Sequence, residues 1–277
     1  METTALAAEA DDEVLREVIL SVSAELDRIW DDELSPPAVS APLYHLTGRL
    51  CGCDDPFLPV KVKYTQEALR LLPDVEARIL SAPDPFAAAV RTAIAGNVID
   101  FGTGGHSGEA GEGGFKLEDI LEEFLEKPLF MDNIRELKDR AEKAGTILVI
   151  GDNAGETVFD RPLLKMLKSA AVVYAARDVP IINDATVKDA RLAGVQNEAR
   201  LVSSGSRMPG IVLEDCSAPF RKLFEEADVI IAKGQGNFET LTELCQDGRI
   251  FMLFSVKCPV AAHHLGASMG DMMVMQW

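Results

Sequence analysis

Carboxylate and amide side chains directly follow two apolar runs in the second half of the sequence. Asp152 and Asn153 come after the run 146–150, and Asn183 and Asp184 come after a shorter run. If both runs are strands of one parallel sheet, these side chains would meet beyond its carboxyl edge. Carboxylate and amide oxygens are ligands that Mg²⁺ and Mn²⁺ prefer, and such a set leaves positions for water and a substrate phosphate. The alternative interpretation is that these residues cap the helices that follow.

A third strand end offers a positive charge and backbone amides. Lys233 closes the apolar run 228–232, and the following Gly-Gln-Gly stretch leads through Asn237 into a predicted helix. Such a loop can cradle an anion, although Lys233 could equally be a solvated charge at the end of a strand. Ser204 and Gly205 follow another predicted strand and suit either a phosphate or an ordinary Ser/Gly turn.

Further candidate residues lie outside these three strand ends. Asn97 and Asp100 are three residues apart on one face of a predicted helix, so they either end that helix or point together into a cleft. Lys257 follows the apolar run 250–256 and therefore also belongs to the edge of the predicted sheet. All three are candidates for substrate binding, as is Glu156, near which a helix is predicted to begin.

Two patterns of apolar residues organise the chain around these sites. Before residue 145 apolar residues recur at steps of three and four, which is typical of helices. After it, short apolar runs alternate with helical segments, which indicates βαβ units and a parallel sheet. We therefore predict an α/β fold, a three-layer Rossmann-like sheet with an N-terminal helical domain, divided into a helical region 1–115 and an α/β metal-binding catalytic domain 116–277. The predicted helices are 12–30, 62–80, 87–99, 116–126 and 132–143, and the predicted strands are 146–150, 171–175, 179–182, 200–203, 228–232 and 250–256.

The charge balance restricts the partners that the protein can have. The chain of 277 residues carries 27 Lys and Arg against 45 Asp and Glu, a net charge of −18. Such a surface repels nucleic acids and anionic membranes, and a small anionic substrate can bind only where a cation or local amides reverse the field. There is no signal-like N-terminus, no apolar run long enough for a membrane span, and only five cysteines. We therefore expect a cytoplasmic protein.

The motifs at these positions resemble those of the damage-control phosphatases, the family of domain of unknown function 89, and most closely its archaeal and bacterial branch. The stretches concerned are 151–156 (Gly-Asp-Asn-Ala-Gly-Glu), 183–186, 233–239 (Lys-Gly-Gln-Gly-Asn-Phe-Glu), 257–259, 96–102 and 54–57. The resemblance covers most of the chain. One departure is that many members of that branch begin with a Cys-x-x-Cys pair, which residues 1–11 lack.

The resemblance implies a divalent metal, Mg²⁺ or Mn²⁺ with Co²⁺ or Ni²⁺ as further options, held by Asp152, Asn153 and Asp184. It also implies a metal-dependent phosphatase that hydrolyses phosphate monoesters of small metabolites, either sugar phosphates or damaged and unwanted phosphometabolites. Asp152, Asp184 and Lys233 are then the catalytic candidates. Asn97, Lys233 and Lys257 fall at motif positions that suit binding or orienting the substrate.

The sequence leaves the nucleophile, the oligomeric state and two other functions open. Asp152 resembles the nucleophile of haloacid-dehalogenase phosphatases, but the second aspartate of their Asp-x-Asp motif is replaced by Ala154, which favours attack by a metal-activated water. An S-adenosylmethionine-dependent carboxyl methyltransferase is one alternative, although Gly151 and Gly155 do not form the Gly-x-Gly loop that it needs. A non-catalytic metabolite-binding protein is the other.

Overall fold

A mixed seven-stranded sheet with helices on both sides forms the centre of the computed structural model, which describes residues 1–31, 33–98, 127–242, 244 and 246–277. The strand order is β1-β7-β6-β5-β2-β3-β4. β7 runs antiparallel to β6 and parallel to β1, and the other neighbours are parallel. The strands are β1 Leu129–Asp132, β2 Thr146–Ile150, β3 Ala171–Ala176, β4 Arg200–Ser203, β5 Val229–Lys233, β6 Ile250–Ser255 and β7 Met272–Gln276. The predicted α/β sheet is confirmed.

The described residues before 99 are mostly helical, and from residue 127 onward helices alternate with strands. They are α1 Glu2–Ala7, α2 Asp12–Ile29, α3 Pro36–Leu50, α4 Leu58–Ser81, α5 Pro85–Val98, α6 Ile134–Ala141, α7 Thr157–Met166, α8 Val187–Leu192, α9 Ala218–Glu226, α10 Gln235–Leu241 and α11 Pro259–Leu265. The predicted helices 12–30, 62–80, 87–99 and 132–143 correspond to α2, α4, α5 and α6. The sequence pattern missed α3, because its prolines at residues 36, 37 and 42 are typical of a loop.

Five of the six predicted strands are present, and the prediction of a strand at 179–182 is wrong. Residues 179–182 form a loop instead of a strand. Pro180 has no backbone N–H to donate to a ladder, and Ile182 adopts a left-handed backbone with φ of 47°. β1 and β7 were not predicted, since β1 has only four residues and methionines make up most of β7. The predicted helix 116–126, the glycine-rich loop 102–114 and the predicted boundary at 115/116 lie outside the described residues.

The two faces of the sheet pack against different helices. Leu71 of α4 and Ile94 of α5 share one core with Ile147 and Ile231 of the sheet, together with apolar residues of α6 and α7. The opposite face packs against α9, α10 and α11. α1, α2 and α3 form a separate small cluster around Val18. Thus α4 and α5 lie directly on the sheet, next to the elements that carry the candidate site. No helix in the described part of the chain is both long and apolar enough to cross a membrane.

Candidate active site

The two loops that were predicted to carry metal ligands lie side by side. Asn153 and Asp184 form an antiparallel bridge. The amide of Ala185 donates to the carbonyl of Asp152 at 2.7 Å, and the amide of Ala154 donates to the carbonyl of residue 183 at 3.0 Å. The structure therefore brings Asp152, Asn153 and Asp184 together at the carboxyl edge of β2 and β3.

This pairing stands at the point where the order of the strands reverses. From β2 the chain proceeds outward through β3 and β4, and it then returns to place β5 and β6 on the other side of β2. Open α/β sheets bind their ligands in the crevice at such a point. Gly234 follows β5 with φ of 81°, and a Cβ atom there would overlap the carboxylate of Asp152. The ends of β2 and β5 therefore meet closely enough to require glycine.

Helix capping does not account for these polar residues. The N-cap position of α7 belongs to Glu156, whose side chain makes no capping hydrogen bond. The N-cap of α8 is Thr186, which forms a reciprocal capping box with Asp189. Asp152, Asn153 and Asp184 are thus not N-cap residues, although all three are buried. Burial of such groups calls for another explanation.

The electrostatics of the centre suit a cation. Burial raises the pKa of Asp152 well above its ordinary value, and the neighbouring Glu156 and Asp184 raise it further, while Lys257 and Arg177 oppose them. A bound cation would relieve this repulsion. In the described residues, no group of three or more His, Cys, Asp or Glu side chains is arranged to hold a metal. The candidate metal ligands are therefore not an all-acidic cluster. Two carboxylates with the Asn153 amide oxygen nevertheless form a set that fits Mg²⁺ or Mn²⁺.

Arg177 is a residue of this site that the sequence interpretation missed. It follows β3 directly and is only 1% exposed. Its Nε donates to Asp184 at 2.9 Å, and its Nη2 donates to Asn237 at 3.3 Å. Nη1 has no hydrogen-bond partner among the described residues. The rule that identified the other strand ends would have found Arg177 as well, because it is the first polar residue after an apolar strand.

The side chain of Lys233 is buried next to the candidate centre and is not exposed to solvent. Its ammonium group donates to Asp160 at 2.6 Å, to Glu156 at 2.9 Å and to the carbonyl of Ala93 at 2.9 Å. The side chain is fully buried, so the interpretation of Lys233 as a solvated strand-end charge is wrong. An ammonium group has three donors, and all three are directed into the protein.

The other predicted substrate-binding residues divide into two groups. Asn237 is buried and donates to the carbonyls of Gly151 and Lys233, so it joins the ends of β2 and β5. The charge of Lys257 acts on Asp152, and its side chain is only partly buried. Both residues, with Glu156, therefore belong to the candidate centre.

The second group consists of residues for which the described part of the structure shows no contact with the candidate centre. Ser204 and Gly205 follow β4, the edge strand, and the hydroxyl of Ser204 accepts the amide of Ser206 at 3.2 Å, as in a Ser/Gly turn. Asn97 is in the last turn of α5, and its side chain lies outside the described residues, as does Asp100. Their predicted roles toward a substrate stay predictions.

A cavity of about 310 Å³ adjoins the loop that leads to Asp184. Residues 179–182 form one wall, and polar side chains from α3, from the turn after α3 and from the loop after β4 form the others. These polar residues are Tyr44, His45, Arg49, Asp54, Asp55 and Arg207, and Thr4 of α1 also lines the cavity. A space of small-molecule size therefore lies beside the loop that precedes Asn183 and Asp184, although none of the residues of the candidate centre lines it.

The fold and the paired loops define a Rossmann-like α/β protein with a candidate metal centre at its switch point. Residues 2–273 match the model of the damage-control phosphatase ARMT1-like domain, so the chain belongs to that family. It is 36% identical over 272 residues to a damage-control phosphatase of Pyrococcus horikoshii, covering 97% of this chain and 91% of the relative.

Two further comparisons agree. A damage-control phosphatase of Archaeoglobus fulgidus is 34% identical over 227 residues, covering 81% of this chain and 76% of the relative. The crystal structure of a DUF89 family protein from Pyrococcus horikoshii superposes with a TM-score of 0.88 at 35% identity, covering 99% of this chain and 94% of that one. The predicted family is confirmed.

Proposed function

We propose that this protein is a metal-dependent phosphatase that hydrolyses phosphate monoesters of small metabolites, either sugar phosphates or damaged and unwanted phosphometabolites. Membership of the damage-control phosphatase family supports a phosphatase. The observation that carries the metal dependence is the bridge between Asn153 and Asp184, which places them and Asp152 at one point of the sheet edge. Asp152, Asn153 and Asp184 would hold the metal, Mg²⁺ or Mn²⁺ in the first instance and Co²⁺ or Ni²⁺ as further options.

Each of the surrounding groups has a part in this proposal. When bound, the metal would polarise a phosphate oxygen and lower the pKa of a coordinated water. Lys257 is partly buried and close enough to act on Asp152, so it is better placed than Lys233 to neutralise the phosphate. Arg177 holds the carboxylate of Asp184 in place.

The attacking group is proposed to be water rather than Asp152. The position two residues after Asp152 is the buried Ala154, so no second carboxylate follows to act as an acid or base. Asp152 is also held between Asn153 and the close backbone at Gly234. A ligand role uses this fixed position.

A screen for phosphate release tests the proposal. The chelator-treated protein is assayed against sugar phosphates, nucleotides and cofactor precursors with Mg²⁺, Mn²⁺, Co²⁺ and Ni²⁺ in turn. We expect hydrolysis only with metal, and its loss in Asp152→Ala but not in Asp139→Ala, which changes an exposed aspartate of α6. Hydrolysis without metal, or full activity in Asp152→Ala, would refute the assignment.

The same preparation separates the remaining alternatives. Tyrosine residues fill the space beside Gly151 and Gly155. A Cβ on Gly151 would lie 2.5 Å from Tyr174, and a Cβ on Gly155 would lie 3.3 Å from Tyr64. This leaves no specific support for a loop that binds S-adenosylmethionine, and an assay of methyl transfer would detect one. Metal binding without turnover of any phosphate ester would instead favour a metabolite-binding protein.

A further inference from the structure

We propose that Asp160 and Tyr174 are positioning residues of the candidate metal centre, acting through Lys233 and Glu156 on the side-chain amide of Asn153. This inference rests on the proposed metal site. Neither Asp160 nor Tyr174 belongs to the motifs of the sequence, and neither is placed to touch a substrate. Their contribution would be the orientation of one metal ligand.

A continuous series of hydrogen bonds connects Tyr174 to Glu156. The hydroxyl of Tyr174 donates to Oδ2 of Asp160 at 2.7 Å. The other oxygen of Asp160 accepts Nζ of Lys233 at 2.6 Å, and the same Nζ donates to Oε1 of Glu156 at 2.9 Å. Tyr174 and the lysine are fully buried, and the two carboxylates are at most 2% exposed. Water therefore has little access with which to replace a lost partner.

Glu156 connects this series of hydrogen bonds to Asn153. Its second oxygen, Oε2, accepts Nδ2 of Asn153 at 3.2 Å, and Nδ2 also donates to Oδ2 of Asp152 at 3.0 Å. An ionised carboxylate only accepts hydrogen bonds, and an amide carries its donors and its acceptor on opposite sides. A flipped amide would set its oxygen against two acceptors. With Nδ2 held by two carboxylates, Oδ1 lies on the opposite side of the amide group, which is the side that a bound cation would occupy in this proposal.

The backbone at Gly151 brings this series of residues close to the metal ligands. A Cβ on Gly151 would lie 2.5 Å from the hydroxyl of Tyr174 and 2.8 Å from its ring. The hydroxyl therefore sits directly against the chain that continues into Asp152. Tyr174 supports the end of β2 by contact as well as through Asp160.

The test measures the affinity for Mn²⁺ by titration calorimetry on chelator-treated protein, with circular dichroism and thermal unfolding as controls of folding. Asp160→Asn keeps the shape of the side chain and removes its charge, and Tyr174→Phe removes only the hydroxyl. We expect each variant to bind Mn²⁺ about 10–100-fold more weakly, as is usual when groups behind a metal ligand are changed. Asp55→Asn is the matched control, since Asp55 pairs with a different buried lysine, Lys61, at 2.7 Å. Its affinity for Mn²⁺ should be unchanged.

The outcomes separate this inference from the proposed function. Unchanged Mn²⁺ affinity in folded Tyr174→Phe and Asp160→Asn would overturn the positioning role, as would an equal loss in Asp55→Asn or a wild-type protein that binds no Mn²⁺. If Asp160→Asn does not fold, Tyr174→Phe decides alone, because it leaves every charge in place. Weaker Mn²⁺ binding in these variants would support the inference even if no phosphate ester is hydrolysed, in which case only the proposed activity fails.

Discussion

Lys61 and Lys233 are both buried lysines, and each lies between two carboxylates. Lys61 is 2.7 Å from Asp55 and 2.9 Å from Asp189. Lys233 is 2.6 Å from Asp160 and 2.9 Å from Glu156. The Lys61 group (Lys61, Asp55 and Asp189) and the Lys233 group (Lys233, Asp160 and Glu156) therefore contain the same kinds of ion pair. They differ in solvent access and in the residues that their carboxylates contact next.

The Lys61 group joins structural elements, whereas the Lys233 group leads to the candidate centre. Asp189 belongs to the capping box of α8, and the side chain of Asp55 keeps 16% of its surface exposed. In the other group Glu156 is fully buried and continues to Asn153. A buried ion pair is weak evidence for function by itself. The role of such a pair is indicated by the further hydrogen bonds that its carboxylates make to other residues.

The largest effect that would test this contrast is expected for Lys233→Met. The substitution leaves Glu156 and Asp160 buried without their cation, which typically lowers the free energy of unfolding by about 3–5 kcal/mol. Lys61→Met should lower it less, because Asp55 retains access to water. Urea denaturation of both variants measures the difference. A larger loss in Lys61→Met would contradict this account of burial.

Metal-induced stabilisation should differ between the same two variants. A ligand present at about 100 times its Kd stabilises the native state by about 2.7 kcal/mol. We expect Mn²⁺ to stabilise wild type and Lys61→Met by this amount, and Lys233→Met by much less, since the amide of Asn153 loses its support. Denaturation with and without Mn²⁺ gives the increments. Equal increments in all three proteins would remove the functional distinction between the lysines.

A smaller effect is expected where Tyr174 touches the backbone. Gly151→Ala forces a Cβ against the Tyr174 ring and hydroxyl, and overpacking of this kind typically lowers stability by about 1–3 kcal/mol. Adding Tyr174→Phe removes the nearest atom, so the two changes should be less than additive in a double-mutant cycle. Gly145→Ala is the control, as its Cβ would lie 3.4 Å from Asp228, an ordinary contact. Simple additivity would argue against the contact.

These contrasts also show which parts of the site the sequence could predict. The position of Asp152 and Asn153 at the sheet edge was predictable because they follow β2, and the carboxyl ends of parallel strands share one edge. The expected position of Asp184 rested on a strand at 179–182, whereas a loop brings it to Asn153. The burial of Lys233 was not predictable, since its partners are 77 and 73 residues away and their distances depend on how α7 packs under the sheet. Local periodicity contains no information on such pairings.

The errors in the fold have equally local causes. Residues 179–182 are apolar enough for a strand, but the left-handed backbone of Ile182 turns the chain so that Asn183 and Asp184 return to β2. β7 was missed because methionines occupy most of it and Val274 is its only β-branched residue. Its pairing with β6 and β1 is determined by the sheet as a whole.

The smallest predicted effect concerns the solvent-accessible end of the Lys61 group. Burial raises the pKa of Asp55 above its ordinary value of 3.8, and Lys61 only partly opposes this. The folded protein therefore binds more protons than the unfolded chain just above pH 3.8, so this carboxyl makes stability fall as the pH rises through that range. Asn cannot ionise, and the stability of Asp55→Asn relative to wild type should accordingly improve between pH 3.5 and pH 6, about the range that such a group titrates over. Urea denaturation at both pH values measures the change. A constant relative stability would show that Lys61 cancels the effect of burial, and a decline would show that Lys61 outweighs it.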